Sequence, residues 1–543
     1  MINTVENMGQ LKVIEWKMSY HKVPGLCSLV LQIIIFMLIS ATSLMAHNAG
    51  VLPHHFQKFI GLVQPEQIHI AFGDTSQDIV IMWATKKDSK FSVEFAGNPD
   101  NMQKIEADRA VLEKSSARAA KYLHRVYLAK LKPGEKYFYR LVAETGAASN
   151  MYGFKVPYNT PGKVHIFMIL ADMGLLSNSL KFLTYEAANG MYEALFHVGD
   201  IAYNLHRDEG SFGDQFLKHM EKSTAKVPYM TVPGDHERFL DYYHYRYRFS
   251  MPKSRWPMPV DQLWYSLDVG PVHFITLNTE VFYSVTDQQD KQMDWLHDDL
   301  QKANAKRSEH PWIIVLGHRP MYCSPTDFSD EADCVSDTTC AIRSKLEDLF
   351  YEEGVDLYIS GHQHNYERSW PLYRGKAFQQ GYKNPKAPVH IVNGAMGYQY
   401  IAETIVKAKS WSAFSSSDPR KELYGKLEVL NSSHLMWDVY DASNNEDIDS
   451  ILLVQQRHGP FGKAGDDAYE QLVKLQQLHP APFHWQPPAE TSDSQPLFHA
   501  FYGLPSATRK LYLVSLCCTL LSLVICLLCI PRCRRKLCRN SKR

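Results

Sequence analysis

Short runs of alternating apolar and polar residues fill residues 64–157 of the chain. Alternation with a period of two turns one face of a strand toward a core, and Pro-Gly turns separate such strands. The predicted strands are Gln67–Phe72, Asp78–Thr85, Phe91–Phe95, Tyr122–Leu131 and Lys136–Ala143. Several short strands in succession predict a β-sandwich. Since no cluster of titratable residues stands out here, we interpret this region as a structural or docking domain.

From Lys163 onward the pattern changes to continuous apolar runs that end in glycine, acidic or histidine residues. Such runs are typical of strands buried on both faces, and helical stretches alternate with them. The predicted strands are His165–Ala171, Ala194–Val198, Tyr229–Val232, His273–Leu277, Trp312–Leu316, Val355–Ile359 and His390–Val392. The predicted helices include Ser179–Tyr192, Asp287–Asn304 and Ile342–Glu353. This alternation predicts an α/β domain over residues 163–456.

An apolar run near the N-terminus, Leu26–Ile39, follows three lysines and precedes several small residues. This order of basic, apolar and small-residue regions is that of a secretory signal, which we place at residues 1–46. An uncleaved signal anchor is the alternative interpretation of the same run.

A second apolar run, Leu511–Ile530, contains 20 residues and no charged side chain. A helix of this length spans the hydrocarbon core of a bilayer, so we predict one transmembrane helix at 511–530. A lipid-anchor signal and a buried core helix are the alternatives, but the basic residues after the run argue against a lipid anchor. The basic tail, residues 531–543, favours a cytosolic C-terminus. Residues 457–510, rich in Gly, Pro, His and Gln, are interpreted as a stalk.

Charge and composition agree with a multidomain protein of the secretory pathway. The chain has 543 residues, of which 45% are hydrophobic and 21% charged, so it is neither wholly disordered nor a single ordinary domain. The formal net charge is zero, yet residues 47–510 carry a net charge of −8 and seven basic residues follow Ile530. A mildly acidic body argues against nucleic-acid binding. We therefore expect a single-pass type I membrane protein with an extracellular or lumenal body.

Three of the 10 cysteines, Cys323, Cys334 and Cys340, lie in the part predicted to face an oxidising compartment. Disulfides form there, and three thiols leave one over. We expect a disulfide between Cys323 and Cys334, with a Cys334–Cys340 disulfide as the alternative. Asn431 lies in the one N-glycosylation sequon of this part, which is consistent with the same topology.

Acidic and histidine residues recur where the apolar strands of residues 163–456 end. In chain order they are Asp172 in ADMG, Asp200 and Tyr203 in GDIAY, Asp235 and His236 in GDHE, His318 in VLGH, and His362 and His364 in GHQH. Carboxylate and imidazole groups suit Fe, Zn and Mn. Two neighbouring ions need a bridging carboxylate and about three further ligands each, which this set supplies. The pattern therefore predicts a binuclear metal site at the strand ends.

These motifs, together with linking segments such as GHRPMYCS and GHQHNYERS, resemble the purple acid phosphatases within the calcineurin-like metallophosphoesterases. The resemblance covers residues 64–456 and is greatest to the animal long-form group of that family. It implies a multidomain chain of α+β and α/β class. An N-terminal β-sandwich similar to fibronectin type III (64–157) would precede a four-layer αββα metallophosphoesterase domain (163–456), and the single transmembrane helix would follow.

The resemblance also implies which residue holds which ion. A ferric ion would be held by Asp172, Asp200, Tyr203 and His364. A second, divalent ion (Zn, Fe or Mn) would be held by Asp200, Asp235, His318 and His362, with Asp200 as the bridge. A tyrosinate on iron gives this family its purple colour and distinguishes it from other metallophosphoesterases.

The implied activity is that of an acid phosphatase, which hydrolyses small phosphate monoesters through attack of a metal-bound hydroxide on phosphorus. By motif position His236 lies beside the divalent ion. We expect it to hold a phosphate oxygen or to help protonate the leaving alkoxide, and orientation of a metal ligand is the alternative role.

Two departures from the family pattern bear on this activity. The family has Asn where this chain has Asp235, so the liganded site has one more negative charge. We expect weaker binding of phosphate and tighter binding of the second ion. Some members also place two substrate histidines where this chain has Asp327 and Phe328, which leaves the leaving-group acid open.

Two other functions are alternatives. One is a membrane-anchored binding protein with a weakened or inactive phosphatase domain, and the other is a metallophosphodiesterase. The ligand pattern favours the enzyme over the binding protein, and Tyr203 disfavours the phosphodiesterase.

Overall fold

The computed structural model describes residues 64–112, 122–158, 162–283, 287–326, 340–397 and 404–463. The predicted signal, transmembrane helix and cytosolic tail lie outside these ranges, as does most of the predicted stalk. Among the described residues, no helix has the length and apolar character needed to cross a bilayer.

Eight strands build the N-terminal domain as two antiparallel sheets. They are β1 (Glu66–Phe72), β2 (Ile79–Thr85), β3 (Phe91–Ala96), β4 (Gln103–Glu106), β5 (Asp108–Val111), β6 (Tyr122–Leu128), β7 (Lys136–Ala143) and β8 (Tyr152–Lys155). The sheet orders are β1-β2-β6-β5 and β4-β3-β7-β8. Trp83 of one sheet meets Phe91 of the other with ring centroids 5.7 Å apart, so the sheets share a core.

The predicted strands of this domain are present, with small differences. The strand predicted over Tyr122–Leu131 ends at Leu128, because Lys130 turns the chain with a φ of 56°. The strands β4, β5 and β8 were not predicted, and each is only four residues long. Strands β4 and β5 are also mostly exposed, so they have no apolar alternation to reveal them.

The remaining strands and the helices belong to the second domain. The strands are β9 (His165–Leu170), β10 (Ala194–Val198), β11 (Tyr229–Val232), β12 (Tyr265–Val269), β13 (Val272–Leu277), β14 (Trp312–Gly317), β15 (Leu357–Ser360), β16 (Tyr366–Ser369), β17 (Leu372–Tyr373), β18 (Lys376–Ala377), β19 (Val389–Asn393), β20 (Ser412–Ser416), β21 (Leu423–Val429), β22 (His434–Asp441) and β23 (Glu446–Val454). The helices are α1 (Leu180–Ala187), α2 (Ser211–Thr224), α3 (Phe239–Arg248), α4 (Gln288–Ala305) and α5 (Ala341–Glu352).

Two mixed sheets form the centre of this domain. One has the order β11-β10-β9-β21-β22-β23 and the other β12-β13-β14-β15-β19-β16-β20. Strands β9–β11 are parallel in the first sheet, and β13, β14, β15 and β19 are parallel in the second. Phe274 of the second sheet packs on Phe167 and Phe196 of the first, with ring centroids 4.9 and 4.7 Å away.

Helices cover the outer faces of the sheets. On the first sheet, Phe196 points to the other sheet, whereas the next residue, His197, meets Phe216 of α2 with ring centroids 6.1 Å apart. On the second sheet, Ile275 packs in a core with Leu296 of α4 and Leu346 of α5. The layer order in these contacts is helix, sheet, sheet, helix.

Several elements differ from the sequence prediction. The helix predicted over Ser179–Tyr192 is confined to α1, because Gly190 turns the chain with a φ of 85°. Helices α2 and α3 and the strands β12, β16–β18 and β20–β23 were not predicted. Strand β21 pairs with β9 and so completes the sheet that carries the first ligand motifs.

The N-terminal domain contacts the second domain through α2. Glu221 accepts hydrogen bonds from the Ile68 amide (3.3 Å) and the Tyr152 hydroxyl (2.9 Å), and the Tyr139 hydroxyl donates to the Ala225 carbonyl (2.8 Å). The sandwich therefore supports the helix that follows the β10 ligand turn.

Candidate metal centre

Each predicted ligand lies just beyond the carboxyl end of a strand. The ligands are Asp172 after β9, Asp200 and Tyr203 after β10, Asp235 after β11, His318 after β14, and His362 and His364 after β15. Parallel strands bring their carboxyl ends to one edge of a sheet, and here the edges of two facing sheets meet. The side chains converge there in two groups.

The first donor set comprises Asp172, Tyr203 and His364. The Tyr203 hydroxyl lies 2.9 Å from Asp172 Oδ1 and 2.9 Å from His364 Nε2. His364 Nε2 lies 3.7 Å from the same Asp172 oxygen. A carboxylate, a phenol and an imidazole thus present their donor atoms to one point.

The second donor set comprises Asp200, Asp235, His318 and His362. These four residues offer one ligand atom each within 4.8 Å of one another. His318 Nε2 lies 3.3 Å from Asp200 Oδ1 and 3.2 Å from Asp235 Oδ1. His362 Nδ1 lies 3.1 Å from Asp235 Oδ1.

Asp200 is linked to both sets. It belongs to the second set by distance, and its negative charge also contributes to raised pKa values of Asp172 and Tyr203 in the first set, where burial is the larger cause. A carboxylate in this place is the natural bridge between two ions.

The backbone at the site takes conformations that cost energy. Asp172, Asp200, Tyr203 and His362 have positive φ values of 60°, 54°, 46° and 69°. Left-handed conformations of non-glycine residues cost of order 1–3 kcal/mol each and cluster at functional sites. Four of the seven predicted ligands share this feature, which supports a functional interpretation.

Two glycines allow the ligand turns to approach one another. A Cβ on Gly234 would overlap Asp200 Oδ1, and a Cβ on Gly361 would overlap Asp172 Oδ2. The motifs GDHE and GHQH therefore need glycine before the ligand, because any side chain would displace a carboxylate of the neighbouring motif.

Burial controls the electrostatics of the first donor set. Asp172 is fully buried, and burial raises the pKa of its carboxyl well above the usual range. Burial, then the Asp172 charge, raises the pKa of Tyr203. Burial also lowers the pKa of His364 to about 4. Protein groups alone thus disfavour the charged forms here.

The second donor set contains a network of opposite charges. Burial alone would raise the pKa of Asp235, but hydrogen bonds from His318 and His362 outweigh burial and lower it. Burial alone would lower the pKa of His318, but Asp200 and Asp235 outweigh it and raise that pKa well above the usual range. In this network, protonated His318 supplies the positive charge that a metal ion would supply.

The donor chemistry fits two cations. A trivalent ion would stabilise the phenolate of Tyr203 and the carboxylate of Asp172, both of which burial disfavours. A divalent ion suits the carboxylates and imidazoles of the second set. The two sets, joined by Asp200, match the binuclear arrangement expected from sequence.

His236 lies at the mouth of the site, with its side chain 30% exposed. Its Nδ1 lies 2.7 Å from Asn204 Oδ1 and donates to it, and Nε2 lies 3.8 Å from Asp200 Oδ2 and 4.0 Å from Asp235 Oδ2. The Nε2 atom therefore faces the second donor set.

Three residues that were not predicted from the motifs organise the site. Glu237 accepts hydrogen bonds of 2.9 Å from the amides of Asp200, Ile201 and Gly234, and so ties the β10 turn to the β11 turn. Asn204 orients His236, and Arg319 contacts the second donor set. The motifs GDHE, GDIAYN and GHRP contain these residues, but a motif does not reveal which neighbour each one contacts.

The remaining predicted residues are not part of the two donor sets, and some of them lie outside the described residues. Cys323 is buried and disulfide-bonded, whereas Cys334, its predicted partner, lies outside the described residues, as do Asp327 and Phe328. The buried Cys340 thiol contacts the Met321 carbonyl at 3.6 Å. Asn431 is exposed, and its Oδ1 accepts hydrogen bonds from its own Asn-Ser-Ser turn.

Three family models match the chain. The calcineurin-like phosphoesterase model matches residues 165–366, the model of the N-terminal domain of purple acid phosphatase matches 65–156, and the iron/zinc purple acid phosphatase-like protein C model matches 387–450. Fold and donor sets together thus define a two-domain metallophosphoesterase.

Two similar proteins identify the family of metallophosphoesterases to which the chain belongs. Acid phosphatase type 7 from Danio rerio is 36% identical over 423 residues, which cover 73% of this chain and 93% of the relative. Acid phosphatase type 7 from Homo sapiens is 34% identical over 457 residues, which cover 81% and 99%. The chain therefore belongs to the purple acid phosphatase family, and the resemblance inferred from its motifs is confirmed.

A solved structure agrees with this assignment. A purple acid phosphatase from yellow lupin (Lupinus luteus) seeds superposes with a TM-score of 0.63 and 25% identity, over 72% of this chain and 75% of that chain. The predicted division into an N-terminal domain and a metallophosphoesterase domain is confirmed.

Proposed function

We propose that this protein is an acid phosphatase that hydrolyses small phosphate monoesters at a binuclear Fe(III)–M(II) centre. The observation that carries the proposal is that two donor sets form at one sheet edge, with Asp200 in the second set and its charge acting on Asp172 and Tyr203 of the first. Membership of the purple acid phosphatase family supports it.

The two donor sets divide the ligands between the ions. The first set, with Asp200, would hold the ferric ion, and the second set would hold the divalent ion, Zn, Fe or Mn. When bound, the two cations supply Lewis acidity toward the phosphate oxygens and a water activated for attack on phosphorus.

His236 serves the substrate side of the reaction. Because its Nδ1–H is engaged by Asn204, Nε2 faces the centre, and a protonated Nε2 donates to a phosphate oxygen or to the leaving alkoxide. This geometry favours a direct role over orientation of a metal ligand.

Purified full-length protein tests the proposal. We expect two metal ions per chain, a visible absorption band, and hydrolysis of p-nitrophenyl phosphate that is faster under mildly acidic than under neutral conditions. Tyr203→Phe should abolish the band, whereas Tyr185→Phe, at a side chain that is 78% exposed, should keep it. Protein without metal, band or activity would instead favour the binding-protein function.

We further propose that residues 1–46 are a secretory signal and that residues 511–530 anchor a type I membrane protein, with glycosylated Asn431 and a Cys323–Cys334 disulfide on the extracellular or lumenal side. The apolar runs, the basic tail and the disulfide state of Cys323 support this topology. Resistance to alkaline extraction from membranes and a glycosidase-sensitive mass that Asn431→Gln removes are the expected results. Extraction as a soluble protein would contradict the anchor.

A further inference from the structure

The side chain of Arg319, which was not among the residues predicted from the motifs, contacts the second donor set. Arg319 Nη1 lies 3.0 Å from His362 Nε2, and Arg319 Nη2 lies 3.7 Å from Asp235 Oδ1. One guanidinium therefore contacts two of the residues that would hold the divalent ion.

Arg319 is fixed from its other side. Its Nε donates to both carboxylate oxygens of Glu280, at 2.8 and 3.0 Å, and its guanidinium lies 4.5 Å from the centre of the Tyr283 ring. Glu280 is fully buried. A guanidinium that donates to both oxygens of a carboxylate and packs on an aromatic ring is preorganised, so its position beside the donor set is fixed.

His318 and His362 would bind the proposed divalent ion as neutral imidazoles, so with that ion present they would not offset the charge of Asp235. Among Asp235, Glu280 and the two arginines that contact them, the charges balance only when Arg319 is counted. Asp235 and Glu280 carry two negative charges, and Arg319 and Arg238, whose Nη1 lies 3.9 Å from Glu280, carry two positive ones. Without Arg319 the group has an excess of one negative charge. The additional carboxylate at Asp235 thus has a matched cation within the same network.

We propose that Arg319 is a positioning residue that compensates the charge of Asp235, so that the centre remains able to bind phosphate and does not hold the divalent ion too tightly. This inference rests on the proposed metallophosphatase function. Its consequence is a pair of effects with opposite signs: loss of the Arg319 charge strengthens binding of a cation and weakens binding of an anion at the same place.

The test compares Arg319→Gln, Asp235→Asn and the double variant in full-length protein. One measurement is retention of the divalent ion against a chelator, and the other is the Kd of inorganic phosphate. For Arg319→Gln we expect about tenfold tighter retention of the ion and about tenfold weaker phosphate binding, since one charge within a few ångströms acts at this scale in a partly screened site. Asp235→Asn should shift both in the reverse direction, and the double variant should return both to near wild type.

Three further variants separate charge from structure. Arg319→Lys keeps the charge and should keep both values within about threefold of wild type. Arg238→Gln removes the other cation near Glu280. The Arg238 side chain is 40% exposed, and screening weakens exposed charges, so this variant should change neither value by more than about threefold. Glu280→Gln is nearly isosteric and should loosen the ion and tighten phosphate, so it tests the same network if Arg319→Gln does not fold.

The outcomes are distinct. If Arg319→Gln weakens retention of the ion and of phosphate together, or changes neither, Arg319 has only a structural role and the inference is wrong. A wild-type protein that takes up no divalent ion and binds no phosphate would overturn the proposed function itself, and with it this inference.

Discussion

The two donor sets share Asp200 but differ in their surroundings. In the first set Asp172 is fully buried and the His364 side chain is only 14% exposed. In the second set the side chains of Asp235 and His362 are 29% and 26% exposed. A closed set retains its ion, whereas an open set exchanges its ion and leaves room for substrate.

The charged neighbours differ as well. Burial governs the first set, which prepares a neutral imidazole by lowering the pKa of His364 to about 4. The second set is a network of charges in which Asp235 meets His318, His362 and Arg319. The comparison suits the first set to holding the proposed ferric ion, and the second set to tuning the proposed divalent ion and receiving phosphate.

The largest expected effect follows from removing the carboxylate that the sets share. Asp200→Asn should lower kcat on p-nitrophenyl phosphate on the order of 10³-fold, more than the 10–100-fold typical of residues that only orient a ligand. Metal content should fall for both ions, because one bridge serves both. The exposed Asp208→Asn is the control and should keep activity. Loss of a single ion in Asp200→Asn would show that Asp200 is not a bridge.

A smaller effect tests how the second set is built. Glu237→Gln replaces the carboxylate that accepts from the amides of Asp200, Ile201 and Gly234 with an amide of weaker acceptor strength. We expect a decrease in kcat of about 10–100-fold with loss of the divalent ion, while the visible band persists. The exposed Glu209→Gln serves as the control. Equal loss of both ions would mean that Glu237 supports the two sets alike.

Acidification should separate the two ions. Metal ligands must be deprotonated, so a raised ligand pKa makes protons compete with the metal. Burial lowers the pKa of His318, but Asp200 and Asp235 raise it further, whereas the pKa of His364 falls to about 4. The pKa values of Asp172 and Tyr203 in the first set are raised as well, but a trivalent ion competes with their protons more strongly than a divalent ion competes with the proton of His318. As pH falls, the divalent ion should therefore leave first, with affinity decreasing by up to about tenfold per pH unit. Metal analysis after dialysis across pH measures this order, and earlier loss of the ferric ion would contradict the comparison.

The ligands themselves were predictable from sequence for a physical reason. His318 and Asp200 directly follow apolar strands, and a strand end in a parallel sheet defines where a side chain lies without knowledge of distant contacts. The positions of helices α1, α4 and α5 and of the predicted strands followed from local hydrophobic pattern in the same way, whereas α2, α3 and β21–β23 were missed. The exposed four-residue strands β4 and β5, which lack that pattern, were missed.

Contacts between motifs were not predictable. Glu237 and Asp200 are 37 residues apart, and Arg319 and Glu280 are 39 apart, so only the assembled fold brings each pair together. The expectation that Asp235 adds an uncompensated negative charge to the centre omitted Arg319 for this reason. Pattern thus predicts which atoms can bind metal, whereas the charge around them depends on tertiary packing.

The smallest expected effect concerns the proton on His236, on the open side of the centre. Asn204→Ala removes the acceptor for Nδ1–H, so the ring loses its fixed orientation, and kcat should fall about tenfold with little change in KM. Asn204→Asp restores an acceptor for the same ring nitrogen, so kcat should recover toward the wild-type value. The exposed Asn189→Ala controls for general effects. If Asn204→Ala leaves kcat unchanged, the orientation of His236 does not matter for turnover, and the open second set binds phosphate without its help.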